Sequence, residues 1–387
     1  MSNPIPGDWI LSALRDKNTI VLACNTRIIK GVTKGLLKAA KKVDAPIFIQ
    51  IARSECDMNG GYIGLTPLQF AEMTNQVADE VKYDVWALHA DHIGIKKGTP
   101  EEIEITKNLI LSQISAGFSS FAIDASHLYN FAGTNTYEEL YPNIAATIDI
   151  SRFILNEMKE KRGKDFGLEV EVGEIGKKDK NGLVLTTKEE AVTFISELNR
   201  AGIYPQVLAI NNGTSHGNVY DDFGSAKSKK VDIERTNEIA NELRKNNFIT
   251  RIAQHGTTGT PRGDIYKAFP HGNILKGNVG THWQNMYYEV LKDANPTLYK
   301  EICDWVLLTY KTEAVKKNIK FDEQIIGTYI KNATKQFFDK IYGIDIHTEH
   351  AIEARVYAEA LLWFRAFKAE GTAKIVRDYI KNKGLKL

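Results

Sequence analysis

Between residues 20 and 279 a short apolar run is followed by an amphipathic stretch, and the pair recurs eight times. The apolar runs are "TIVLACN" (19–25), "PIFIQIA" (46–52), "DVWALHADH" (84–92), "SSFAIDAS" (119–126), "GLEVEVGEIG" (167–176), "QVLAINNG" (206–213), "ITRIAQHG" (249–256) and "GNILKGNVG" (272–280). The stretches between them, such as "RIIKGVTKGLLKAAKKV" and "TPLQFAEMTNQVADEV", carry apolar residues at helical spacing. Strand–helix alternation requires parallel strands joined by right-handed crossovers. Eight such units close into a (β/α)8 TIM barrel, an α/β fold. A doubly wound open sheet for a dinucleotide would announce itself by a Gly-rich turn after the first strand. Here that turn is "CNTRII", with no GxGxxG.

After Trp283 the rhythm changes. "WQNMYYEVLKDA", "LYKEICDWVLLTYKTEAVKK", "DEQIIGTYIKNATKQFFDKIYG" and "TEHAIEARVYAEALLWFRAFKAEG" all read as helices rich in aromatics. Two regions are therefore expected: residues 1–290 as the barrel, and 291–387 as a helical C-terminal extension packed on the barrel or at a subunit interface.

A formal net charge of +2 is too near neutral to point to nucleic acid as a partner. The three cysteines, Cys24, Cys56 and Cys303, are far apart and form no CxxC pair, which suits a reducing compartment. "MSNPIPGDWI" lacks the basic start and apolar core of a signal peptide, and no apolar run reaches the ~20 residues that span a bilayer. A cytoplasmic protein with no membrane association is expected.

In a barrel the C-terminal ends of all strands converge on one face, so residues there are neighbours whatever their separation in sequence. Those ends supply Asn25, Asp91 and His92, Asp124, Glu171, Asn211 with His216 just beyond, His255, and Asn278. Three of the nine histidines, four counting His89, fall on this rim. Imidazoles converging with carboxylates suit a catalytic divalent metal such as Zn2+, which takes neutral His nitrogens and leaves a position open for substrate. His92, His216 and His255 are the expected ligands. Asp91, beside His92, is placed to act on substrate, and Asn25 is counted with the substrate-facing residues. "QHGTTGTPRGDI" (254–265) and "GNVGTH" (277–282) follow the last two strands. Their glycines and hydroxyls are what a phosphate cradle uses, at the place where such barrels bind phosphate. "NNGTSHGNVY" (211–220) is a third Gly-containing turn that lets backbone approach a ligand.

These segments, in this order, resemble the class II (metal-dependent) fructose-bisphosphate aldolases. "LHADH", "SSFAIDASHL", "LEVEVGEIG", "NNGTSHGNVY", "HGTTGTP" and "LKGNVGT" are similar to that family's motifs, across roughly residues 17 to 290. The resemblance implies zinc-dependent, reversible aldol cleavage of a ketose 1,6-bisphosphate, with fructose 1,6-bisphosphate giving glycerone phosphate and glyceraldehyde 3-phosphate. It implies the catalytic metal on His92, His216 and His255, with Glu171 and Asp124 at a second or alternative metal site, and a monovalent cation as a further occupant. Asp91 matches the acid that exchanges a proton with the aldehyde oxygen. Gly217, Gly256, Thr258, Gly259 and Thr281 match phosphate-binding positions, and Asn278 the residue beside the enediolate. A homodimer or higher homo-oligomer is implied, with a phosphorylated sugar as substrate. The family takes a phosphate-binding arginine from the partner's C-terminal helices, for which Arg355 and Arg365 are candidates.

The chain also departs from the family. The mobile loop's glutamate is replaced by Asp179 in "GKKDKNG" (176–182), with Glu174 as the other candidate for the second proton transfer. Lys177, Lys178 and Lys180 flank Asp179 and would lower its pKa. Gly280 and His282 stand where the family carries aspartates. No strand-end lysine matches a Schiff-base aldolase. Other readings are a tagatose-bisphosphate or other ketose-phosphate aldolase, a barrel metallohydrolase, and a non-catalytic barrel subunit. The metallohydrolase would open with His-x-His where this chain has "ACNTR".

Overall fold

The structure, a computed structural model, describes residues 3–161, 165–173, 178–179, 182–213 and 231–386. Its strands are β1 (Val21–Asn25), β2 (Ile47–Ala52), β3 (Trp86–Gly94), β4 (Ser120–Asp124), β5 (Gly167–Glu171), β6 (Lys178–Asp179), β7 (Gly182–Leu183), β8 (Val207–Ala209), β9 (Arg251–Gln254) and β10 (Ile274–Val279). Eight of them close a parallel barrel in the order β1-β10-β9-β8-β5-β4-β3-β2, while β6 and β7 form a small antiparallel hairpin in the connection after β5. All eight apolar runs became barrel strands, most of them trimmed at one or both ends, while β3 runs on to Gly94, two residues past its run. The first is typical: every residue of "VLACN" is buried, as expected where helices cover the outside and side chains fill the inside.

The helices around the barrel are α1 (Gly7–Leu14), α2 (Val32–Val43), α3 (Pro67–Val81), α4 (Pro100–Ala116), α5 (Thr136–Lys161), α6 (Lys188–Arg200), α7 (Ile233–Lys245) and α8 (Arg262–Ala268). Several starts are fixed by local chemistry. Thr66 and Gln69 cap α3 reciprocally, Thr187 and Glu190 do the same for α6, and proline opens α3 and α4 at the position that tolerates it. Helix α1 was not foreseen. It lies against the N-terminal mouth of the barrel, where a Cβ on Gly7 or Gly167 would stand 2.6 or 2.4 Å from Ser120 Oγ. Only glycine permits that approach.

Downstream lie α9 (Thr281–Ala294), α10 (Pro296–Lys316), α11 (Asp322–Tyr329), α12 (Ala333–Gln336), α13 (Phe338–Tyr342), α14 (Ile346–Ala366) and α15 (Thr372–Asn382). Helix α14 packs against α2, α8 and α9, and α15 against α1. A Cβ on Gly35 of α2 would stand 2.7 Å from the Glu353 carbonyl, so α2 and α14 are in backbone contact. Trp283, Tyr287, Trp363 and Phe364 are buried. No helix of the described residues is long and apolar enough to cross a membrane.

One expected helix, 322–343, is broken into α11, a 3-10 turn (Ile330–Asn332), α12 and α13. The break is where this segment docks on the loop after β2. The Lys335 N–H, left without an intrahelical partner by the restart at Ala333, donates to the Tyr62 carbonyl at 3.2 Å, and Lys335 Nζ to the Asn59 carbonyl at 3.1 Å. Tertiary contact therefore overrides a pattern that reads as continuous helix.

Candidate active site at the C-terminal mouth of the barrel

A cavity of ≈ 700 Å3 opens at the C-terminal ends of the strands, within the range that holds small-molecule ligands. It is lined, among others, by Asn25, Asp91, His92, Asp124, Glu171, His255, Gly256, Thr258, Asn278 and Thr281. Gly259 lies in the 3-10 turn Thr257–Gly259 beside them. His216 and Gly217 lie outside the described residues, as do Glu174 and the side chain of Asp179.

The end of β3 explains why two adjacent residues, Asp91 and His92, both face the cavity. In a regular strand neighbours point to opposite sides. Here the register with β4 shifts between Ala90 and Ile93, and His92 takes a left-handed φ of +44°. A non-glycine residue in that region is held there by its surroundings, and such positions gather at functional sites. The irregularity turns His92 inward beside Asp91.

His92 Nε2 and His255 Nδ1 lie 2.8 Å apart. Behind them the other ring nitrogens meet carboxylates. His255 Nε2 is 2.6 Å from Glu169 Oε1, and His92 Nδ1 is 3.3 Å from Glu171 Oε2 and 3.5 Å from Asp124 Oδ2. A carboxylate behind an imidazole takes its N–H and turns the opposite lone pair toward a metal. At 2.8 Å a proton on one of the two facing nitrogens bonds to the other, and a divalent ion held by both would take the place of that proton. Asp91, His92 and His255 together bring one ligand atom each within 4.8 Å of one another, and His92, Asp124 and Glu171 do so as a second group. Asn278 Oδ1 is buried with no hydrogen-bond partner among the described residues, so one more donor atom is available at the site. A mixed set of imidazole nitrogens and carboxylate oxygens fits a zinc-like divalent ion.

Asp91 is held by amides on both oxygens. Asn25 Nδ2 donates to Oδ2 at 2.9 Å and Asn278 Nδ2 to Oδ1 at 3.2 Å. Burial opposes its charge, but the cations of His92 and Lys276 prevail and bring its pKa down to about 2. Burial likewise opposes charge on His92, yet the carboxylates of Asp91 and Glu171 outweigh it and hold the imidazolium well above its ordinary range. Glu171 is pushed up by burial and by neighbouring Asp124. Asp91 is thus an ionised acceptor, while Glu171 and Asp124 share the charge of His92.

Below this layer lies a polar one that the sequence reading missed. Lys276, fully buried, donates to Glu169 Oε2 at 2.7 Å and lies 3.3 Å from His89 Nε2. His89 is therefore not a rim residue. It sits inside the barrel, bonded through Nδ1 to Ser120 Oγ at 2.7 Å, and burial with the Lys276 cation brings its pKa down to about 3. The strand period supplied a signal. His89, Glu169 and Lys276 each stand two residues before a cavity residue, namely Asp91, Glu171 and Asn278. Lys276 is not a strand-end amine, and its ion pair commits it to Glu169.

Removing one partner of a buried ion pair costs about 3–5 kcal/mol. Lys276→Met is accordingly expected to lower the urea-unfolding free energy by about that much, with Lys276→Met/Glu169→Gln recovering part of the loss. Unchanged stability in the single variant would remove the pair from this account.

The positions where the chain departs from family pattern also have a physical reading. His282 Nε2 pairs with Glu359 of α14 at 3.1 Å, and neither lines the cavity. Arg355 and Arg365 are exposed on α14 and do not line it either. Asn211 ties the end of β8 to the segment before α6, through Val184 at 2.5 Å and Thr186 at 2.9 Å.

The family model described as "Fructose-bisphosphate aldolase class-II" matches residues 8–340. Among solved structures, the fructose-bisphosphate aldolase from Campylobacter jejuni superposes with a TM-score of 0.60 at 17% identity, covering 95% of this chain and 96% of that one. The YdjI aldolase from Escherichia coli K12 does so with a TM-score of 0.57 at 18% identity, covering 94% and 97%. At such identities the structural likeness speaks to the fold.

Proposed function

This chain belongs to the class II fructose-bisphosphate aldolase family, and from that premise we propose that it catalyses metal-dependent, reversible cleavage of a ketose 1,6-bisphosphate, with fructose 1,6-bisphosphate as the first candidate. Glycerone phosphate and glyceraldehyde 3-phosphate are the products. The observation that carries the reading is the pair of imidazoles 2.8 Å apart, each backed by a carboxylate, with an Asp91 oxygen beside them.

His92 and His255, with His216 as the third ligand, would hold the ion, and Glu171 and Asp124 would offer it an alternative position. When bound, a divalent ion polarises the substrate carbonyl and makes a neighbouring carbanion accessible without a Schiff-base amine. Asp91 takes the proton of the hydroxyl at the carbon beyond the scissile bond. As that bond breaks, the hydroxyl oxygen becomes the aldehyde oxygen of glyceraldehyde 3-phosphate and the bonding pair stays on the glycerone phosphate fragment. Asn278, which bonds Asp91, is assigned to steady that fragment. Protonation of its carbon completes the cycle, and Asp179 on the hairpin after β5 is assigned that step, with Glu174 as the alternative. Gly256, Gly259, Thr258 and Thr281, together with Gly217, are assigned to phosphate, and Asn25 to substrate. The reading supports a cytoplasmic enzyme working as a homo-oligomer.

A coupled aldol-cleavage assay tests this. Purified protein is expected to cleave fructose or tagatose 1,6-bisphosphate, to lose turnover on chelation, and to regain it with Zn2+. Chelator-insensitive cleavage refutes the metal role. A metal-replete protein that cleaves neither sugar favours the non-catalytic barrel subunit.

A further inference from the structure

Glu55, on the loop after β2, is a buried carboxylate that the cleavage chemistry above does not use. It lines the cavity yet is only 2% exposed. Four donors close on it, two to each oxygen. Oε1 accepts from Arg27 Nε at 2.6 Å and from the Tyr62 hydroxyl at 2.9 Å. Oε2 accepts from the Ala52 N–H at 2.9 Å and from Asn25 Nδ2 at 3.1 Å. Burial opposes its charge, but the Arg27 cation outweighs burial and holds the carboxyl below its ordinary value. Arg27 is tied in turn to the β10 side, where Nη1 donates to Thr281 Oγ1 at 3.2 Å and to Gln284 Oε1 at 3.0 Å.

The amide of Asn25 stands between two carboxylates. The same Nδ2 that donates to Glu55 donates to Asp91 Oδ2 at 2.9 Å, while Gln50 Nε2 donates to Asn25 Oδ1 at 2.8 Å. An asparagine amide has two N–H donors at one end and an acceptor oxygen at the other, and the two ends are nearly alike in shape. Its partners decide which end faces Asp91. Glu55 demands a donor and Gln50 an acceptor, so together they fix the choice. Turned over, Asn25 would present oxygen to both carboxylates and repel them.

The same carboxylate is linked to the C-terminal extension. Tyr62 gives its hydroxyl to Glu55, and its carbonyl accepts from the Lys335 N–H at 3.2 Å. The restart of the C-terminal helices is therefore seated on the residue that steadies Glu55.

Taking the role of Asp91 from the aldolase reading, we propose that Glu55 is a positioning residue. It sets the sense of the Asn25 amide and through it aims Asp91 at the substrate hydroxyl, with Tyr62 steadying Glu55 from the side of the C-terminal segment. The competing account makes Glu55 a brace that holds loops together and nothing more.

Glu55→Gln separates the two. The new side chain keeps the shape but has one acceptor oxygen for donors that now use two. With that oxygen turned to Arg27 and Tyr62, its nitrogen meets Asn25 Nδ2 donor against donor, and the Asn25 amide turns over. In a coupled cleavage assay of the metal-loaded enzyme, kcat and kcat/KM are expected to fall together, roughly tenfold to a hundredfold, the range for a hydrogen bond to a charged group. Metal content should be unchanged. In an Asp91→Ala background the same substitution should cost nothing further, because its path to the reaction runs through Asp91. Equal losses in both backgrounds, or a loss confined to KM, reduce Glu55 to a brace and overturn the proposal. Should Glu55→Gln not fold, Tyr62→Phe keeps the Arg27–Glu55 pair and alters a partly exposed residue. It should show a smaller loss with the same dependence on Asp91, and a loss independent of Asp91 overturns the proposal. A crystal structure of Glu55→Gln reads the positioning without activity. Loss of the 2.9 Å bond between Asn25 and Asp91 supports it, and a retained bond overturns it. Bond loss in a protein whose wild type cleaves no ketose bisphosphate leaves the positioning standing and removes the aldolase reading. Cleavage by the wild type, with the bond retained in the variant, does the reverse.

Discussion

His92→Ala and His255→Ala are each expected to abolish turnover and bound metal together, with the fold retained. Each histidine presents one ring nitrogen to the other at 2.8 Å and its second nitrogen to a carboxylate. Alanine removes the ligand atom and leaves the carboxylate without the ring it orients. Changes to such outer carboxylates alone cost about 10–100-fold in metal affinity, so loss of the ligand itself should cost more. His216→Ala should behave alike if its turn closes on the same ion. The fold is expected to survive because the site lies at the strand ends, away from the apolar packing between strands and helices. In His255→Ala the Glu169 carboxylate keeps Lys276 at 2.7 Å. Metal analysis of the purified variants, with circular dichroism as the fold control, decides the matter. Stoichiometric zinc in all three would end the assignment.

How much of this was legible beforehand depends on which physical rule governed each residue. The eight strands were legible because buried parallel strands are written as short continuous apolar runs, here each followed by an amphipathic stretch. Convergence of Asp91, His92, Asp124, Glu171, His255 and Asn278 then followed from barrel geometry alone. The bulge at His92 was not legible, since it shows as a register shift with β4 and a φ of +44° while "LHADH" reads as a regular strand. The layer of His89, Glu169 and Lys276 stands two residues back from the strand ends, legible from the strand period and not from the ends themselves. The 3-10 break at Ile330–Asn332 was hidden for another reason. A helical pattern over 322–343 gives no sign that docking on the Tyr62 loop will interrupt it.

Asp91→Ala is expected to keep its metal and lose turnover by roughly 10²–10⁴-fold, the usual contribution of a positioned proton-transfer group. At about 1.4 kcal/mol per tenfold, that places roughly 3–5 kcal/mol of barrel-mouth catalysis on one carboxylate. The competing assignment makes Asp91 a metal ligand, which its proximity to both histidines allows. Its hydrogen bonds argue otherwise. Both oxygens are occupied by amide donors, Asn25 at 2.9 Å and Asn278 at 3.2 Å. Such an arrangement holds the group ionised and oriented as a proton acceptor. Asn25 is itself braced by Gln50 at 2.8 Å and by Glu55 at 3.1 Å, so the carboxylate has little freedom to swing onto an ion. The alanine variant leaves a small polar hollow between Asn25 and Asn278, sized for formate. If Asp91 moves the proton, added formate should restore part of the turnover without changing metal content. If Asp91 binds the metal, the variant should lose zinc, and the missing turnover should return with excess Zn2+ and not with formate. Near wild-type turnover without either additive would assign proton transfer to another group, and Asp91 would then be a residue that positions Asn278.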